Sequence, residues 1–213
     1  MQHDYSTLSP ADALRRIFRD QVDNITDCGH ALSQVFLHLP EPETYIAEVK
    51  RLEEIGDRLT AAAYQALQAE PYSELTHITE QFVRHLDDIA DGINDTARSI
   101  DICRPKRAEP AGHELLATLL SMITRLHEEV ALYPENTLDR LRTCRETLKR
   151  LEETADTLYH EWRKTQRRLS SLPLVDENNW TEILGTLEQT TDAAYHAVLS
   201  LEHIAKRRPR SAG

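Results

Sequence analysis

An all-α chain of six long helices is the fold class this sequence predicts, on three observations. Apolar residues recur at spacings of three and four almost throughout. Only 6 Gly and 9 Pro punctuate 213 residues, too few for a β-sandwich, which needs turn residues every ~8–12 positions. The run KRLEEIGDRL (50–59) returns as KRLEETADTL (149–158) with seven of ten residues identical, which reads as a duplicated unit.

The elements follow in order. Segment 11–39 places Leu14, Ile17, Phe18, Val22, Ile25, Ala31, Leu32, Val35 and Leu39 near one stripe and stops at Pro40. Segment 43–69 repeats the pattern with Ile46, Val49, Leu52, Ile55, Leu59, Ala63 and Ala66. Segment 73–103 does so with Ile78, Phe82, Leu86, Ile89, Ile93, Ala97 and Ile100, and Ser73 before Glu74 suits a helix start. The polar break RPKRAEPAG (104–112), with two prolines and a glycine, is the one good internal linker. Segment 113–133 is amphipathic and ends at Pro134. Segment 136–169 carries Leu138, Leu141, Leu148, Leu151, Leu158 and Trp162; segment 178–206 carries Ile183, Leu187, Ala194, Val198, Leu201 and Ile204. The organisation expected is one domain over 11–208, made of repeat one (11–103), the linker 104–112 and repeat two (113–208).

Composition narrows the function. With 25 basic residues against 36 acidic, a net charge of -11, nucleic acid is not an expected partner, because phosphate binding needs a basic face. No run approaches the ~18 apolar residues of a membrane span. The start, MQHDYSTLSP, lacks the basic and apolar regions of a signal peptide. Cys28, Cys103 and Cys144 form no CxxC, so free thiols in a reducing cytoplasm are expected. Neither GxGxxG nor GxxxxGK[ST] occurs, and there is no HExxH. The RRPR ending complements the dipole of the last helix.

The informative residues are acidic. Glu53 and Asp57 are four apart on one helix face, as are Glu152 and Asp156 in the second half. The third helix of each half carries another pair, Asp87 with Asp91 and Glu188 with Asp192. Asp95 extends the first by a turn, and His196 holds the corresponding place in the second. Number alone decides nothing: 36 acids in 213 positions give about six such pairs by chance, and eight occur. Placement decides. Across an antiparallel hairpin, facing positions have a constant sum. Asp57 with Asp87 and Glu53 with Asp91 share one sum; Asp156 with Glu188 and Glu152 with Asp192 share another. Each hairpin should therefore bring four carboxylates to one level. Such a group repels itself unless protonated or bridged by cations, and oxygen ligands suit Fe³⁺, Mn²⁺, Mg²⁺ or Ca²⁺ better than zinc or copper. The alternative is a solvated acidic face with splayed side chains.

A repeated three-helix unit with such a pair on each of its last two helices resembles the PhoU-like proteins, and among them the PhoU-related phosphate transport regulators associated with low-affinity phosphate permeases. The stretch Phe18-Arg-Asp-Gln21-Val-Asp-Asn24 is similar to that family's opening helix. The resemblance implies a six-helix PhoU-like fold, a tandem repeat of two antiparallel three-helix bundles. It implies one multinuclear metal cluster on Glu53, Asp57, Asp87 and Asp91 and a second on Glu152, Asp156, Glu188 and Asp192. Asp87 departs from the longer Glu usual there. Asp95 and His196 are further candidate ligands. Iron is the metal implied, with manganese, magnesium, calcium and zinc as alternatives. The function implied is that of a cytoplasmic, non-enzymatic accessory protein of phosphate transport, in contact with a phosphate permease, with a homo-oligomer left open. The sequence offers no evident lipidation signal or basic amphipathic face, so membrane contact is expected to be indirect. Two rivals remain. A ferritin-like carboxylate-bridged metalloprotein needs two ExxH motifs on separate helices, and only Glu74-Leu-Thr-His77 occurs. A purely structural helical scaffold requires that the carboxylates bind nothing.

Overall fold

The computed structural model describes residue 5, residues 7–169 and residues 172–208. Residues 1–4 and 6 of the start read for a signal peptide, and Pro209 and Arg210 of the basic ending, lie outside them. Six helices follow one another: α1 (Pro10–Leu37), α2 (Glu43–Gln68), α3 (Glu74–Cys103), α4 (Pro110–Ala131), α5 (Leu138–Leu169) and α6 (Leu174–Arg207). The all-α, six-helix reading holds.

Local chemistry sets the ends. Ser9 caps α1, its hydroxyl accepting from the Asp12 amide at 3.2 Å, with Pro10 in the first turn where a missing N–H costs nothing. Ser73 and Thr76 cap α3 reciprocally: the Ser73 hydroxyl accepts from the Thr76 amide at 3.1 Å, and the Thr76 hydroxyl accepts from the Ser73 amide at 2.7 Å. The expected breaks after α1 and α4 contain Leu39–Pro40 and Tyr133–Pro134, both with cis peptide bonds.

Two boundaries differ from the sequence reading. The linker is shorter than 104–112, because Pro110 opens α4 as a first-turn proline instead of marking loop. Gly112 is then a packing residue: a Cβ there would lie 3.0 Å from Phe36 and 3.1 Å from Trp180. Helix α6 starts at Leu174, four residues before the expected 178. Its first-turn Leu174 and Val175 are 70% and 69% exposed, so no buried face announces the helix there.

Helices α1, α2 and α3 pack on one another, as do α4, α5 and α6; α1 against α4 and α3 against α6 join the two sets. Helices α2 and α5 are outermost. Named contacts fix directions. Along α3 and α6, Ser99 meets Glu182, Gly92 meets Thr190 and His85 meets Ser200, so the two run antiparallel. Gly92 is needed: a Cβ on it would fall 2.2 Å from Thr190 Oγ1. One continuous apolar core links the halves, with Phe18 and Phe82 edge to face at 5.0 Å. Such burial contributes about 25 cal/mol per Å² of apolar surface.

Candidate metal centre

The first acidic group is built on the α2–α3 hairpin. Glu53, Asp57 and Asp91 each present an oxygen within 4.8 Å of the others, and among the described residues no other three His, Cys, Asp or Glu side chains come so close. Two carboxylate oxygens bound on opposite sides of one hard cation, at about 2.1–2.4 Å each, stand about 4.2–4.8 Å apart, so the spacing fits a shared ion.

Asp87 is turned aside. The Thr60 hydroxyl donates to Asp87 Oδ1 at 2.8 Å and accepts from Gln21 Nε2 at 3.0 Å, a relay running from α1 through α2 to α3. Glu53 is held by Asn94, whose Nδ2 donates to Oε1 at 3.0 Å. Asn24 Nδ2 donates to the Leu52 carbonyl at 3.0 Å and fixes the α2 backbone beside Glu53. The facing pairs are thus Thr60 with Asp87 and Glu53 with Asn94, about one helical turn from the register expected. The reason is that buried amides and hydroxyls satisfy the carboxylates at the interface, a demand apolar periodicity does not report. Asp95 stands on the same helix, exposed and 3.4 Å from Arg98.

Electrostatics agree with crowding. Burial and then Asp87, Asp57 and Glu53 raise the Asp91 carboxyl to about 6. Burial and Asp57 raise Glu53. Asp87 is raised by burial against the opposing effect of the Thr60 hydrogen bond. Glu53, Asp87 and Asp91 hold their protons more tightly than isolated carboxyls, as expected of partly buried like charges.

The second group is arranged differently. Glu152 and Asp192 meet across α5 and α6, as the register expected. Burial raises both Asp192 and Glu188, the latter further lifted by Asp192 and Asp156. Basic side chains sit among these carboxylates: Lys149 Nζ is 2.5 Å from Glu152 Oε2, and His160 Nδ1 is 2.8 Å from Asp156 Oδ1. His196 packs its ring 5.6 Å from His85 of α3. Glu74, of the lone ExxH, is taken by Arg207 at 2.6 Å.

Sequence reasoning missed Gln21, Asn24, Thr60 and Asn94. A signal existed: each is a polar residue at a position the apolar stripe assigns to the core, and Gln21 and Asn24 lie inside the stretch quoted for the opening helix. All four are at most 7% exposed.

No family model and no curated protein matches the chain. Solved structures do. A PhoU-like protein from Shewanella oneidensis MR-1 superposes with a TM-score of 0.74 at 14% identity, covering 92% of this chain and 100% of that one. A second PhoU-like chain from that organism gives 0.74 at 16%, covering 92% and 97%. The phosphate transport system regulatory protein PhoU from Streptococcus pneumoniae gives 0.71 at 15%, covering 92% and 94%. Over 92% of its length, this chain has the PhoU-like fold.

Proposed function

We propose that the chain is a metal-binding regulatory protein of inorganic phosphate transport, non-enzymatic and cytoplasmic, acting by contact with a phosphate permease. The observation that carries the metal reading is the convergence of Glu53, Asp57 and Asp91, three carboxylates with oxygens within 4.8 Å of one another, of which burial and the neighbouring acids raise Glu53 and Asp91. The transport reading is supported by the likeness in fold to a phosphate transport regulator. No helix among the described residues is long and apolar enough to cross a membrane.

Glu53, Asp57 and Asp91 would hold the cation, with Asp87 joining if its Thr60 bond gives way and Asp95 at the rim. Iron is the metal proposed, with manganese, magnesium, calcium and zinc as alternatives. A hard cation supplies open coordination positions for phosphate or for a partner's carboxylates. Asn94 and Thr60 orient the carboxylates, a supporting role to which metal affinity is sensitive. In the second half, Glu152, Asp156, Glu188 and Asp192 would bind only with Lys149 and His160 turned away, and His196 adds a nitrogen beside them. The halves 11–103 and 113–208 are read as copies of one unit within a domain over 11–208.

Elemental analysis of protein purified without chelator tests the site. Bound metal should fall by about one site in a Glu53→Gln/Asp57→Asn variant; unchanged metal overturns it. Deleting the protein should alter phosphate uptake, and crosslinking should recover a permease. Unchanged uptake with no permease recovered favours the structural-scaffold reading.

A further inference from the structure

Helix α5 ends in a feature unlike the rest of this acidic molecule. His160, Arg163, Lys164, Arg167 and Arg168 recur at spacings of three and four and gather around one shallow depression of about 320 Å³. All five are exposed, while Trp162 and Gln166 between them point into the bundle at 8% and 6% exposure. The end of α5 is therefore amphipathic with a basic outer face, contrary to the sequence expectation that no such face exists. The helix dipole accounts for Arg167 and Arg168 in the last turn but not for residues one and two turns earlier.

The second observation is apolar. Leu169 is 69% exposed, and Leu174 and Val175, opening α6 across the turn, are 70% and 69% exposed. Because α3 and α6 are antiparallel, Ile102 near the end of α3, 79% exposed, lies at the same end. Leu37 at the end of α1, 67% exposed, belongs there too, since Phe36 packs against Trp180 of α6. Large aliphatic side chains thus cap the end that the basic face borders. Acids border the face as well: Asp156 lies 2.8 Å from His160, Glu161 is paired with Lys164 at 2.5 Å, and Asp176 and Glu177 stand in the first turn of α6.

We propose that this end of the molecule docks on an anionic phospholipid surface, with Arg163, Lys164, Arg167 and Arg168 over the headgroups and Leu169, Leu174 and Val175 at the acyl boundary. Four clustered cations match the recognition of anionic lipid by short polybasic segments. The aliphatic tip favours a bilayer over a nucleic acid or an acidic protein, neither of which offers it an apolar phase. The contact is independent of the carboxylate site. It would set a regulator directly beside a membrane transporter.

Cosedimentation of the full chain with vesicles tests it. Vesicles of phosphatidylcholine and phosphatidylglycerol at about 2:1 should carry the protein down at low salt and release it as salt rises, and phosphatidylcholine alone should not. Arg167→Gln/Arg168→Gln should weaken binding about thirtyfold, at roughly fivefold per cation. Leu174→Ser/Val175→Ser should weaken it about tenfold. These side chains are exposed, so the variants should fold, which circular dichroism checks. Glu53→Gln/Asp57→Asn should bind vesicles like the wild type, so failure of the metal reading leaves this one standing. Absence of binding, equal binding to neutral vesicles, unaltered variants, or preference for duplex DNA over vesicles would each overturn the proposal.

Discussion

Replacing Asp91 with Asn should make the metal-free protein more stable at neutral pH. Asp91 is displaced from 3.8 to about 6, chiefly by burial and then by Asp87, Asp57 and Glu53. A carboxyl raised in the fold contributes stability that is complete below its unfolded value of 3.8 and is lost as pH rises through about 6. At about 1.36 kcal/mol per pH unit that displacement amounts to about 3 kcal/mol. Water on the open side of the residue screens much of it, leaving about 1 kcal/mol. In a chain of this size that is about 2–4 °C of melting temperature. The assay is a calorimetric melt in chelator at pH 7.5 and pH 5, wild type beside Asp91→Asn. At pH 7.5 the variant should melt higher; at pH 5 the gap should shrink to about half, because the unfolded chain is still ionised there, and it closes only as pH falls below 3.8. His85 works in the other direction, since burial and His196 lower it and its neutral form favours the fold as pH rises past its range. That contribution is common to both proteins and cancels in the difference. A variant that melts no higher than wild type at pH 7.5, or a gap that fails to shrink between pH 7.5 and pH 5, refutes the account of a self-repelling site.

Two further outcomes follow from the packing around it. Thr60→Val strands Gln21 Nε2 and removes the donor to Asp87; it should cost about 1–3 kcal/mol in urea denaturation and raise the Asp87 carboxyl further by NMR titration. Gly92→Ala drives a Cβ to 2.2 Å from Thr190 Oγ1 and should cost about 1–3 kcal/mol, while adding Thr190→Ala should recover most of the loss; a harmless single change would mean that α3 and α6 do not touch there.

The helices were legible because each buries a stripe, and the stripe is written in Leu, Ile, Val and Phe at helical spacing. What was not legible lacks a stripe. The first turn of α6 exposes Leu174 and Val175, so its start carries no amphipathic signal. The start of α4 was obscured because Pro110 and Gly112 are loop formers by composition and become helical only through position and the contacts of Gly112 with Phe36 and Trp180. The acidic pairs were legible as a level but not as a geometry. Counting residues from a turn sets the height of a carboxylate to within about a turn. Which carboxylate faces which depends on buried partners such as Thr60 and Asn94.

Those partners explain why two groups with the same acidic pattern end in different electrostatic states. The offset that pairs Asp87 with Glu188 and Asp91 with Asp192 pairs Asn94 with Tyr195. Asn94 gives Glu53 a neutral donor at 3.0 Å and brings no positive charge to that group. Tyr195 offers a ring, and the Lys149 ammonium lies 5.2 Å from its centre while reaching Glu152 at 2.5 Å. Lys50 stands before Glu53 as Lys149 stands before Glu152, so a lysine in sequence is not what separates the halves. The aromatic face that draws it across the carboxylates is. His160, in the place of Ala61, puts an imidazole nitrogen 2.8 Å from Asp156. An acidic group with a lysine already drawn across it has less to gain from a metal ion than one left with its charge uncompensated, so the α2–α3 hairpin is where metal affinity should be concentrated.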